Sequence, residues 1–252
     1  MVPLIELRNK KAYNGKKYSK EVLRLIRAKQ TSESLMIGVL LALSGGFMDA
    51  YSYVCRGEVF ANAQTGNILL FGVYISEGNI QRALRYFCPV LAFALGIVLA
   101  DVVKHHFQEK KLPHWRQITV LFEALVLLGV GMISQEWNLP ANSLTSFACG
   151  IQVESFRKIH GKGIATTMCI GNLRTGTEAI CTYCYTRERE QLRKGLFFYG
   201  IILCFAIGAV IGNQLIRLFE EQAVWVCSAL LMVTFLVMFT DREAGSGQGT
   251  SL

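Results

Sequence analysis

Charged residues are scarce in this 252-residue chain, 17% of the total against 52% hydrophobic, and a mean hydropathy of +0.35 leaves too little polar surface to coat a water-soluble domain. That apolar content, with 11% aromatic residues, excludes a disordered chain, and glycines without a triplet period exclude a collagen-like one. Catalytic signatures are missing as well. No H-E-x-x-H, G-x-S-x-G, paired catalytic aspartate motif or phosphate-cradling glycine loop occurs, so an enzyme is not expected. The four histidines, His105, His106, His114 and His160, fall in polar loops and match no ligand pattern. The eight cysteines lack the dense spacing of a secreted disulfide scaffold, and Cys181-x-x-Cys184 has no second pair at zinc spacing. No metal and no cofactor are expected. The amino terminus lacks a signal-peptide cleavage pattern, and the tail lacks a lipidation box.

What remains is a polytopic membrane protein. Apolar runs recur at 35 to 55, 60 to 76, 84 to 104, 117 to 134, 141 to 156, 164 to 182, 195 to 216 and 223 to 240. A spanning helix takes about 20 predominantly apolar residues. The net charge of +8 would suggest nucleic acid in a soluble domain, but the excess flanks apolar runs, so topology explains it and no nucleic-acid partner is expected. Residues 1 to 34 form a basic segment suited either to a helix on anionic lipid or to a solvated arm. The connections at 104 to 116, 157 to 162 and 187 to 194 are also basic, and the positive-inside rule places all three with the amino terminus only if two of the runs fail to cross. The run from 60 opens with Asn62, Gln64, Thr65, Gly66 and Asn67, and the run from 164 holds Thr166, Thr167, Asn172, Arg174 and Glu178. These two are read as re-entrant or broken. The expected fold is an all-α membrane domain over 35 to 240, with six spanning helices plus two re-entrant segments, followed by a flexible tail at 241 to 252.

A fixed offset aligns Gly45 with Gly150, Asp49 with Glu154, Gly66 with Gly171 and Asn67 with Asn172, and a slightly longer one aligns Phe93 to Gly96 with Phe205 to Gly208. Odd crossings between equivalent points make this an inverted 3+3 pseudo-repeat, over about 35 to 134 and 141 to 240. Gly66 and Gly171 permit a bend or close approach, and Asn67 and Asn172 can bond freed backbone groups, so the two turns would meet near the midplane. The alternative is that these small residues merely pack helices. A carboxylate inside a span costs roughly 2.5 to 3.5 kcal/mol, which directs attention to Asp49, Glu123 and Glu154 as ion or proton partners. Arg174 and Glu178 share a helical face, and a structural Asp49–Arg174 ion pair is the rival reading.

The stretches Gly45-Gly46-Phe47-Met48-Asp49-Ala50 and Ala61-Asn62-Ala63-Gln64-Thr65-Gly66-Asn67, with Gly150-Ile151-Gln152 and Gly171-Asn172, resemble the YoaK-like family of small bacterial multi-pass membrane proteins. The resemblance covers most of residues 35 to 240 and is looser in the second half, where Val153-Glu154 departs from the family pattern. It implies a bacterial cytoplasmic membrane location and names no substrate. The residues themselves favour a permease for an unknown small solute or ion, with Gln64, Thr65 and Gln152 offering uncharged hydrogen bonds. The alternative is a scaffold or regulatory subunit whose basic cytoplasmic face, with both termini, binds lipid or a protein. A homodimer through the Gly96 to Ala100 and Gly208 to Gly212 faces competes with internal packing of the same faces.

Overall fold

The computed structural model of the chain describes residues 35–107, 115–159, 162–163 and 167–246. The basic segment 1–34, His114, His160, Thr166 and residues 247–252 lie outside that set. Among the described residues the helices are α1 Leu35–Cys55, α2 Gln64–Ser76, α3 Ile80–Phe107, α4 Trp115–Val130, α5 Asn138–Ser155, α6 Cys169–Thr186, α7 Arg189–Phe219 and α8 Trp225–Ser246. Short 3-10 turns at Gln135–Trp137 and Glu220–Val224 lead into α5 and α8, and a β bridge pairs Lys158–Ile159 with Lys162–Gly163. The fold is therefore helical, as the apolar runs require. One boundary differs. Residues 241 to 246 continue α8 instead of starting a tail, because extending an existing helix through Asp-Arg-Glu-Ala costs little once the nucleus exists.

Three stretches, Leu35–Cys55, Ile80–Phe107 and Arg189–Met238, are long and apolar enough to cross a membrane. Their outward residues fit lipid. Leu91, Leu95, Val98 and Val102 stand exposed along α3, and Leu203, Val210 and Ile211 along α7. Burial concentrates instead on α1 and α5, whose Ile37, Leu41, Phe47, Met48, Ala148 and Cys149 form the centre of the core.

The helices pair in a regular way. α1 packs most broadly on α7 and α5 on α3; α2 lies against α3 and α6 against α7; α4 meets α5 and α8 meets α1; and α4 faces α8. Glycine makes the two broad interfaces close. A methyl group at Gly46 would fall on the Phe205 carbonyl and one at Gly150 on the Phe93 carbonyl; at Gly96 it would fall on the Phe147 carbonyl and at Gly208 on the Leu43 carbonyl. The Gly96 and Gly208 faces are thus spent inside the bundle, which removes them as a dimer surface. The contacts also shift the alignment by one place: Gly46, not Gly45, does in the first half what Gly150 does in the second, so Asp49 falls opposite Val153 and not opposite Glu154.

Hydrogen bonds define two ends of the bundle. At one, Arg56 bonds the Val130 and Ile133 carbonyls and Tyr51 donates to the Glu221 carbonyl, which joins the ends of α1 and α4 to the 3-10 turn after α7. At the other, Lys104 near the end of α3 meets Glu154 near the end of α5 at 3.5 Å and lies over the Trp115 ring at the start of α4.

Candidate functional site

Between α1 and α2 the backbone leaves the helix and returns to the middle of α1. Such a segment is tolerated in an apolar interior only if its polar groups find partners. Asn67 supplies them for Phe60: its Oδ1 accepts from the Phe60 N–H at 3.0 Å and its Nδ2 donates to the Phe60 carbonyl at 2.7 Å. Gln64 Nε2 donates to the Ala61 carbonyl at 2.7 Å. The Asp49 carboxylate accepts the Asn62 N–H at 2.7 Å, with the Ala61 and Ala63 N–H groups also directed at it. Asn62 Nδ2 in turn donates to the Gly45 carbonyl at 3.1 Å. Gly66 lets the Phe60 ring lie 2.7 Å from where its Cβ would be. Gly66 thus permits a close approach, and Asn67 bonds backbone groups freed from the helix. Gln64 differs: its amide is occupied by the turn, while Thr65 is exposed.

Residues just before α6 reach the same place. Thr167 is buried, and its Cγ2 lies 2.6 Å from where a Gly45 Cβ would be; Cys169 lies within electrostatic reach of Asp49. Asn172 is buried in α6 as Asn67 is in α2. Gly171 is unlike Gly66, with open space where a side chain would stand. Gly45 is therefore flanked by Asn62 and Thr167, and the Asn62 Oδ1 and Thr167 Oγ1 are both buried without a hydrogen-bond partner. Gln152 adds a third: its Nε2 holds the Leu41 carbonyl at 3.0 Å while its Oε1 has no partner. Unpaired buried oxygens are uncommon and each is costly unless a ligand or water meets it.

The acidic residues separate into different roles. Asp49 anchors the first interruption. Glu154 sits at the end of α5, paired with Lys104 at 3.5 Å and Arg157 at 3.6 Å, as an ordinary end-of-helix ion pair remote from Gly45. Glu123, on α4, is fully buried and neither carboxyl oxygen has a partner. Cys149, in the apolar core, lies within electrostatic reach of Asp49, Glu123 and Cys227, which places both carboxyls near the same part of the interior. Arg174 and Glu178 are exposed on α6, and the structure makes no ion pair between Asp49 and Arg174. The His/Cys/Asp/Glu side chains of the described residues form no cluster of three that could hold a metal.

Arg56 shows in the sequence only as loop charge, yet among the described residues it is the largest fully buried side chain. It donates from Nε to Tyr51 Oη at 2.8 Å and from Nη2 to two carbonyls at the end of α4, while Asn142 holds its own carbonyl. The signal that could have marked it is a basic residue in the turn after an apolar helix, followed by an asparagine-bearing helix start at Asn138 and Asn142.

The chain is 25% identical over 215 residues to the UPF0700 transmembrane protein YoaK of Bacillus subtilis (strain 168), covering 83% of this chain and 94% of that protein. No solved structure matches. With that transmembrane relative and its long apolar helices, the chain is a membrane protein. A family model described as a protein of unknown function, DUF1275, matches residues 37–237, and the chain belongs to that family.

Proposed function

We propose that the protein is a non-enzymatic permease for a small solute or ion, in which two interrupted segments enter from opposite faces of the membrane and form a midplane site around Gly45. Six helices, α1, α3, α4, α5, α7 and α8, cross, and the halves are an inverted repeat. Supporting this are the paired packing of α1 on α7 with α5 on α3, and the four glycine contacts that fall at matching places in each half. Both termini are cytoplasmic in a bacterial cytoplasmic membrane, in keeping with Lys104 and Arg157 together at one end of the bundle.

The observation that carries the reading is the meeting of Asn62 and Thr167 on Gly45, each with an unpartnered buried oxygen. Broken helices that converge at mid-depth are how many transporters build a solute site. Asn62 Oδ1, Thr167 Oγ1 and Gln152 Oε1 are the recognition groups, while Glu123 is the titratable carboxyl in the same interior. The test is flux of a metabolite panel in liposomes holding wild-type protein, Thr167→Val or Asp49→Asn. Uptake by wild type that falls in Thr167→Val supports a solute site at Gly45. Leakage-level flux across the panel, with a phenotype in cells abolished by neutralising Lys10, Lys11, Lys16 and Lys17 but not by Asp49→Asn, supports the scaffold instead.

A further inference from the structure

The outward faces of the two matching short helices differ in chemistry. α2 presents Ile68, Leu69, Val73 and Ile75, a face made for lipid. α6 also presents Ile170 and Leu173, but beside them stand Arg174, Glu178 and Cys181, which recur three or four apart and so lie on one stripe. The threonines of α6 are satisfied within the helix: Thr175, Thr177, Thr182 and Thr186 each donate to the carbonyl four residues back. Arg174 and Glu178 are not satisfied. Neither pairs with the other nor makes an ion pair with any described residue. Arginine preceding glutamate by one turn is the poorer orientation for an intrahelical pair, and both charges against hydrocarbon are costly.

We infer that this face of α6 is the interface of a homodimer in which Arg174 of each copy pairs with Glu178 of the other. The inference rests on α6 lying within the bilayer, as proposed above, and is independent of any transported solute. The stripe is self-complementary, as a two-fold interface requires, because it carries one charge of each sign. A two-fold axis along the membrane normal sets two α6 helices side by side at equal depth, with Arg174 and Glu178 one turn apart, roughly 6 Å along the axis. Each arginine then reaches the other copy's glutamate. An anionic lipid headgroup would satisfy Arg174 but repel Glu178, which favours a second copy over lipid. Cys181 lies one turn beyond Glu178 on the same stripe, close to the axis.

The test uses full-length protein retaining Cys181 as its sole cysteine, oxidised with copper phenanthroline in native membranes, and mass measurement of single particles in nanodiscs. A disulfide-linked dimer through Cys181 is expected, with no crosslink when Cys204 is the sole cysteine. Arg174→Glu or Glu178→Arg alone should raise the dimer dissociation constant by at least about tenfold, since both copies carry the substitution and both inter-copy ion pairs are lost, and the double exchange should restore it. Failure of Cys181 to crosslink, or a dimer indifferent to both single exchanges, overturns the inference. Arg174→Cys reacting with a charged maleimide as fast as a free aqueous thiol removes its premise. Dimerisation rescued by the double exchange stands even where every flux assay is negative.

Discussion

Arg56 is buried in the interior with no ion-paired carboxylate among the described residues, and the carbonyls at the end of α4 take that place. Helix C-terminal carbonyls carry partial negative charge, so a cation there is stabilised while it ties α1 to α4 and α5. Arg56→Ala would leave Tyr51, Val130 and Ile133 with lost or weakened bonds, and a loss of about 3 kcal/mol is expected, read as a lower thermal midpoint in detergent. Arg56→Lys should recover only part of it, since an ammonium lacks the planar fork that reaches three acceptors at once. Glu123 makes the reverse prediction. Both its oxygens are buried and unpartnered, so Glu123→Leu should raise stability by about 1 to 3 kcal/mol while abolishing any flux that depends on its proton. A variant that melts earlier than wild type would show that the carboxyl has a structural partner after all.

At the scale of elements, the interrupted turns and the close interfaces make separable demands. Asn67→Ala removes both bonds to Phe60 and should cost about 2 to 3 kcal/mol. Gly66→Ala should also destabilise, by displacing the Phe60 ring, whereas Gly171→Ala meets open space and should be neutral or gain up to about 1 kcal/mol of helix propensity. Gly96→Leu and Gly208→Leu should both abolish monodisperse protein on size exclusion, since backbone cannot retreat as a side chain can. The polar-rich starts of the second and sixth runs are legible in the sequence because an asparagine in an apolar run needs a backbone partner, and Asn67 has one. The place of Glu154 is not, because a constant sequence offset carries no information on helix phase: one residue of slip turns a side chain by about 100°, enough to exchange Val153 for Glu154. Arg56 is illegible for another reason: sequence shows a charge beside a helix end but not whether the chain folds back over it.

For the molecule as a whole, the decisive question is how the two short helices leave the membrane. If every apolar run crossed, the ends of α2 and α6 would emerge on the same face. With six crossings and two re-entrant segments, α2 ends beside the start of α3 at the Arg56 end, and α6 ends beside the start of α7 at the opposite one. Glu77 and Glu188, both exposed, mark these exits. The direct measurement is labelling of Glu77→Cys and Glu188→Cys, in a background with the native cysteines replaced by serine, using a membrane-impermeant maleimide on intact cells and after permeabilisation. Re-entry of α2 and α6 from opposite faces predicts that position 77 labels in intact cells and position 188 only after permeabilisation; labelling of both from one face would contradict it.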